Sequence, residues 1–312
     1  MVGKMKETTT SLDALIDKAG GWRCRRRRIR PHNSRKHGAA INDTLWSAVC
    51  LIKDPGLIKR VHLEYLEAGA DILVTSSYQA TIPGFLSKGL SIEEGELLLK
   101  KSVALAVEAR NSFWEAVKVS PEIITITGLW LLPLLEAMGL ILLMVPNTVG
   151  IMDRMRSDLL AFETIPNKLE AQACVELLEE ENIQMPSWIC FSSVDGENAP
   201  SGESFKECLD MINRSNKINA VGINCAPPHL IESLICKLKE LTSKAIIVYP
   251  NSGEIWDGKS KRWLPSKCFD DDKFECFATR WRDSGARLIG GCCRTTPSTI
   301  QAISTVLKGK PQ

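Results

Sequence analysis

The chain has 312 residues, 44% hydrophobic and 24% charged side chains, and a formal net charge of +2. That size supports a large buried core, and the balanced charge excludes a global field drawing the chain to nucleic acid or an anionic membrane. Eleven cysteines at irregular spacing do not make a disulfide framework, and residues 1–17 carry no apolar signal core, so a reducing, cytoplasmic location is expected.

In chain order, Gly21 to Arg30 is a basic run without an apolar strand pattern. Lys59 to Gly69 reads as a helix ending at glycine, Asp71 to Ser77 as a strand, and Ser91 to Val119 as a long amphipathic helix. Further strands are predicted at Ile123 to Thr127, Leu159 to Glu163, Trp188 to Ser192, Ala220 to Asn224, Ala245 to Pro250 and Arg287 to Gly291, with helices after most of them. Seven strands alternating with helices predict an α/β fold of the (β/α)8 barrel type. Such barrels take about 250 residues and carry their working groups at strand C-termini. An open doubly wound sheet is disfavoured, because no glycine-rich phosphate loop opens a helix after a strand.

Two strings fall at such strand ends: Gly222-Ile223-Asn224-Cys225 and Gly290-Gly291-Cys292-Cys293-Arg294. Barrel closure would bring three thiolates together. Zinc takes sulfur ligands tetrahedrally, and three protein ligands leave a position open for chemistry, where a structural site would be closed by four. The natural use of such a site is to hold and deprotonate a substrate thiol. The competing reading, buried thiols packing as small hydrophobes, suits Cys24, Cys50, Cys174, Cys190, Cys208, Cys236, Cys268 and Cys276 better.

At these residues the sequence resembles the homocysteine S-methyltransferase family, in its plant type that uses S-methylmethionine or S-adenosylmethionine. The resemblance runs through His37 to Asp43, Leu66 to Ile72, Ser77 to Ala80, Ala161 to Lys168, Val221 to Pro228, Val248 to Glu254 and Gly290 to Pro297. It implies one homocysteine-binding barrel domain over residues 1–312 and zinc on Cys225, Cys292 and Cys293. The homocysteine sulfur would complete the tetrahedron and attack a sulfonium methyl, giving methionine. It also implies that Glu163 holds the homocysteine ammonium, that Asn224 orients the zinc loop, and that Tyr78 and Asn251 line the substrate pocket.

Two segments, 20–36 and 129–157, depart from the family pattern. The family's first strand ends in Asp-Gly-Gly, and the Arg25 to Arg28 run stands in its place. Written in plausible codons and read one nucleotide later, residues 22–30 encode GGVVDGGFA, so the segment reads as frame-shifted. Leu129 to Met152 is nearly uncharged and broken by Pro133 and Pro146, but only about 17 residues run from Leu129 to Val145, with Pro133 and Glu136 inside, which disfavours a comfortable helix across the roughly 30 Å hydrocarbon core; no membrane partner is expected. It too reads as frame-shifted. The expected barrel is therefore incomplete, with first strand and third helix region disrupted. Two alternatives accompany the methyltransferase reading: an impaired family remnant that still binds zinc, and a basic-patch nucleic-acid binder, disfavoured because no nucleic-acid module accompanies the patch. The sequence does not set the oligomeric state; a monomer is the default.

Overall fold

The computed structural model describes residues 23–25, 43, 45–78, 80–117, 124–129, 158–257, 262–264 and 271–308. The element order is β1 (Arg23–Arg25), α1 (Val49–Lys53), α2 (Pro55–Glu67), β2 (Ile72–Val74), α3 (Ile82–Leu86), α4 (Ile92–Val117), β3 (Ile124–Leu129), β4 (Leu159–Ile165), α5 (Lys168–Glu180), β5 (Ser187–Phe191), α6 (Phe205–Arg214), β6 (Ile218–Asn224), α7 (Ile231–Leu241), β7 (Ala245–Tyr249), β8 (Ile255–Asp257), β9 (Arg262–Leu264), α8 (Asp271–Ser284), β10 (Ala286–Gly290) and α9 (Pro297–Lys308). Helix starts follow local chemistry. Asp54 accepts from Leu57 N and Pro55 opens α2, and Ser204 and Glu207 form a reciprocal capping box on α6.

Eight strands form a closed barrel in the order β1-β10-β7-β6-β5-β4-β3-β2, all pairs parallel. Alternation along each strand sorts two cores. Leu159, Ala161, Trp188, Cys190, Ala220, Ile247, Tyr249 and Leu288 form one cluster with Cys292 and Cys293 inside the barrel. Their neighbours Leu160, Phe162, Ile189, Phe191, Val221, Val248 and Ile289 pack outward with the helices.

The expectation of an incomplete barrel is corrected at its first strand. Residues 23–25 pair in parallel with Leu288 to Gly290 on one side, and Arg25 pairs with Ile72 on the other. The ladder needs only main-chain N–H and C=O groups, which every non-proline residue carries, so a basic tripeptide closes the ring. Closure is supported from outside: α9 packs on β1, and its Lys308 donates to Gly69 O at 2.7 Å and Asp71 Oδ1 at 2.6 Å, at the entrance to β2. Of the second anomalous segment, 129–157, Leu129 ends β3, and residues 130–157, with the expected third-helix disruption, lie outside the described residues. Among the described residues no helix is long and apolar enough to cross a membrane. The antiparallel pair β8–β9 was not anticipated, because three-residue strands are too short to show a period.

Gly222, opposite Ile247 in the β6–β7 ladder, is a position of close backbone approach: an added Cβ would lie 1.8 Å from the Ile247 carbonyl oxygen. Backbone on both sides cannot yield as a side chain can. Gly222→Ala is expected to cost about 3 kcal/mol or more in urea unfolding.

Glu170, in the first turn of α5, is buried, and among the described residues its Oε1 has no hydrogen-bond partner. Desolvation pushes its pKa up from 4.5 to about 8. The folded chain then binds a proton that the unfolded chain releases, so stability falls as pH rises between about 4.5 and about 8. Glu170→Gln removes that dependence. Its Tm advantage over the parent should grow from about pH 5 to about pH 8 and level off above, as thermal melts across that range would record.

Candidate metal centre

Cys225 follows β6, Cys292 and Cys293 follow β10, and β7 is hydrogen-bonded to both strands. The ladder therefore delivers the two cysteine strings side by side at the C-terminal mouth of the barrel. The three sulfur atoms lie within 4.8 Å of one another, the one such cluster of potential metal ligands among the described residues. Cys292 and Cys293 are 5% and 6% exposed, and Cys225 is half-buried.

In this structure Cys225 and Cys292 are joined as a disulfide, with Cα atoms 5.5 Å apart. Cys293 Sγ lies 3.6 Å from Cys225 Sγ. Tetrahedral ligation at about 2.3 Å places sulfur atoms roughly 3.8 Å apart, so the Cys225–Cys293 spacing already suits a shared ion. With Cys225–Cys292 reduced, the set fits a soft or borderline divalent metal. Among the described residues no other thiol joins the group. Burial pushes Cys174 well above its ordinary range and Cys208 up to about 12, where neither forms a thiolate near neutrality. Cys50 and Cys190 are buried and Cys236 and Cys276 exposed, as expected of packing and surface thiols; Cys190 packs in the barrel interior with Cys292 and Cys293 but is outside the three-sulfur group.

Hydrogen bonds brace the sulfur loops. Asn224, the last residue of β6, is 1% exposed; its Oδ1 accepts from Thr164 N at 2.7 Å, and its Nδ2 donates to Thr164 Oγ1 at 2.8 Å. The same Nδ2 lies 4.0 Å from Cys292 Sγ. Asn224 thus ties the end of β4, where Glu163 is buried and shares the inward parity of Leu159 and Ala161, to the cysteine that follows β6. Asn251 donates through Nδ2 to Cys225 O at 3.3 Å and accepts from Gly253 N at 2.8 Å. Cys292 N donates to Pro250 O, and Cys225 N to Tyr249 O. Gly291 matters because a Cβ there would lie 2.3 Å from Thr295 Oγ1, the hydroxyl that donates to Cys292 O at 2.9 Å.

Of the residues singled out from sequence, Cys225, Cys292, Cys293, Asn224 and Asn251 are drawn into this one network. Glu163 adjoins it through Thr164, and Tyr78 is half-buried in the loop after β2. Sequence reasoning passed over Thr164, Tyr249, Glu254, Arg294 and Thr295. Thr295, three residues beyond Cys292, carries a recognisable turn signal. The others owe their places to contacts across the barrel.

A match to the homocysteine S-methyltransferase family spans residues 32–307. The chain belongs to the homocysteine S-methyltransferase family. Homocysteine S-methyltransferase 1 of Arabidopsis thaliana is 66% identical over 296 residues, covering 87% of this chain and 89% of that protein. Its namesake from Brassica oleracea var. italica is 64% identical over 291 residues, with the same 87% and 89% coverage. The metallated form of the Escherichia coli homocysteine methyltransferase MmuM superposes with a TM-score of 0.80 at 29% identity, over 94% of this chain and 99% of MmuM. A three-cysteine cluster at the mouth of this homocysteine S-methyltransferase family barrel is consistent with a bound metal.

Removing the Asn224 amide strands the Thr164 N–H and hydroxyl in a part-buried turn. Asn224→Ala should destabilise the chain by about 1–3 kcal/mol in urea melts.

Proposed function

We infer that this chain is a zinc-dependent methyltransferase that moves a methyl group from a sulfonium donor, S-methylmethionine or S-adenosylmethionine, to homocysteine and so forms methionine. The observation that carries the reading is the meeting of Cys225, Cys292 and Cys293 at the barrel mouth. The names of the relatives at 66% and 64% identity support the acceptor. Zinc suits the donor set: three thiolates and an open fourth position are the pattern of a catalytic site. The thiolates require a reducing compartment, for which the cytoplasm is the proposal.

When bound, the ion supplies Lewis acidity that lets the acceptor thiol lose its proton at neutral pH. The chain's own residues do the remainder by placement. Cys225, Cys292 and Cys293 hold the ion, Glu163 at the end of β4 takes the acceptor's ammonium, and Asn224 keeps the Glu163-Thr164 turn in register with Cys225. Tyr78 and the Asn251 loop flank the space for the amino-acid backbones. The acceptor sulfur's electron pair forms the new S–C bond while the donor's S–C bond breaks in line behind it. The donor departs as a neutral sulfide and needs no proton, so positioning replaces acid catalysis.

One feature favours a second reading. The first strand is Arg-Cys-Arg, and residues 21–30 contain no Asp-Gly-Gly, so an aspartate that the family resemblance assigns to amine binding is missing. In that reading the chain holds zinc without turnover.

Purified under reducing conditions, the chain should carry about one zinc and form methionine from homocysteine and S-methylmethionine. Cys292→Ala should lose both, since two sulfurs seldom retain the ion. Zinc without methionine supports the second reading; a folded chain that takes up no zinc sinks both.

A further inference from the structure

Arg294 immediately follows Cys293 and holds a backbone conformation that an arginine rarely adopts, with φ at +66°. Its side chain is only 28% exposed and forms a two-point pair with Glu254, itself 10% exposed. Arg294 Nε donates to Glu254 Oε2, and Arg294 Nη2 donates to Glu254 Oε1 at 3.0 Å. The guanidinium fork and the carboxylate are matched in shape, so the pair fixes direction as well as distance.

Glu254 is in turn anchored to the same cysteine loop. Its Oε2 accepts from Ser252 Oγ at 3.1 Å, and Ser252 N donates to Cys293 O at 2.8 Å. The contacts form a closed ring running from Cys293 through Ser252, Glu254 and Arg294 back to Cys293. The loop that supplies Ser252 and Glu254 also supplies Asn251, whose amide holds Cys225 O. One five-residue bracket, 250–254, therefore touches both cysteine strings, and Arg294 closes it.

We propose that Arg294, paired with Glu254, is a positioning residue for the metal site: it locks the 250–254 bracket onto the Cys292-Cys293 loop and so sets the spacing of the three sulfurs. This rests on the reading of those cysteines as metal ligands. The left-handed backbone at 294 is where glycine would be at ease and arginine is strained. Glycine there would relieve the backbone yet leave the bracket open, and that opposition separates positioning from general stability.

The test measures the zinc dissociation constant by chelator competition, and the Tm of the metal-free chain, for the parent, Arg294→Gly, Arg294→Lys and Glu254→Gln. Arg294→Gly is expected to weaken zinc binding about 10- to 100-fold, the usual effect of losing an outer support of a metal ligand, while backbone relief at 294 limits the fall in metal-free Tm that loss of the Glu254 pair brings. Arg294→Lys, a point charge without the fork, and Glu254→Gln, which loses the charge, should each weaken binding to a smaller degree. Cobalt(II) substituted for zinc should show a shifted visible spectrum in all three variants. Zinc affinity in Arg294→Gly within about twofold of the parent, with parent-like cobalt spectra, overturns the proposal. So does a loss of affinity that merely tracks a fall in metal-free Tm. Should Arg294→Gly fail to fold, the affinities and spectra of Arg294→Lys and Glu254→Gln decide it by the same criteria. A parent chain that binds no zinc brings down the metal reading itself, whereas equal binding by parent and variants brings down only the role of Arg294.

Discussion

Main-chain pairing of β7 with β6 on one side and β10 on the other is the contact from which the site follows. Cys225 and Cys292 are 67 residues apart in the chain, and neither string carries any local reason to approach the other. Parallel strands spaced by the ladder put their C-terminal ends in one plane, so whatever follows β6 and whatever follows β10 must meet over the end of β7. Gly222 belongs to this constraint, because β6 and β7 approach so closely there that a side chain would collide with the Ile247 carbonyl.

The strained backbone of the described residues is concentrated at the same place. Four non-glycine residues have positive φ, and three of them, Thr164, Cys225 and Arg294, stand at the ends of β4, β6 and β10. Thr164 is β-branched, for which that conformation is most costly, and the Asn224 amide grips it at two points. Cys225 is held through its N–H by Tyr249 O and through its carbonyl by Asn251. The barrel below is ordinary, with an apolar interior and apolar outer faces under the helices. The departures from comfortable geometry occur around the mouth where the three cysteines converge, and each is held by hydrogen bonds.

Closure at β1 separates what a fold needs from what a site needs. Arg23 to Arg25 complete the ring because hydrogen bonding in a parallel ladder is blind to side chains. Methyl transfer by the proposed route needs more of that strand than closure, since the amine of the acceptor requires an acidic partner at the barrel mouth. In that proposal the acidic partner is Glu163, buried at the end of β4 and three strands from β1 around the ring.

The alternation of helices and apolar strands was legible from residue 59 onward, because burial on both faces of a parallel sheet writes continuous Val, Ile and Leu runs such as Ala245 to Tyr249. The three cysteines were legible too, since thiols placed directly after such runs stand at the working end of a barrel. By itself, then, the sequence determined the fold class and singled out the three cysteines, because both are written in local strings. Tertiary structure alone decided that a basic tripeptide serves as the first strand, because pairing depends on what lies alongside and not on the residues paired. It alone decided that Arg294 meets Glu254 and that Asn224 meets Thr164. Those partners are 40 and 60 residues apart, and an interaction between side chains brought together by a closed sheet leaves no periodic trace in the chain that folds to make it.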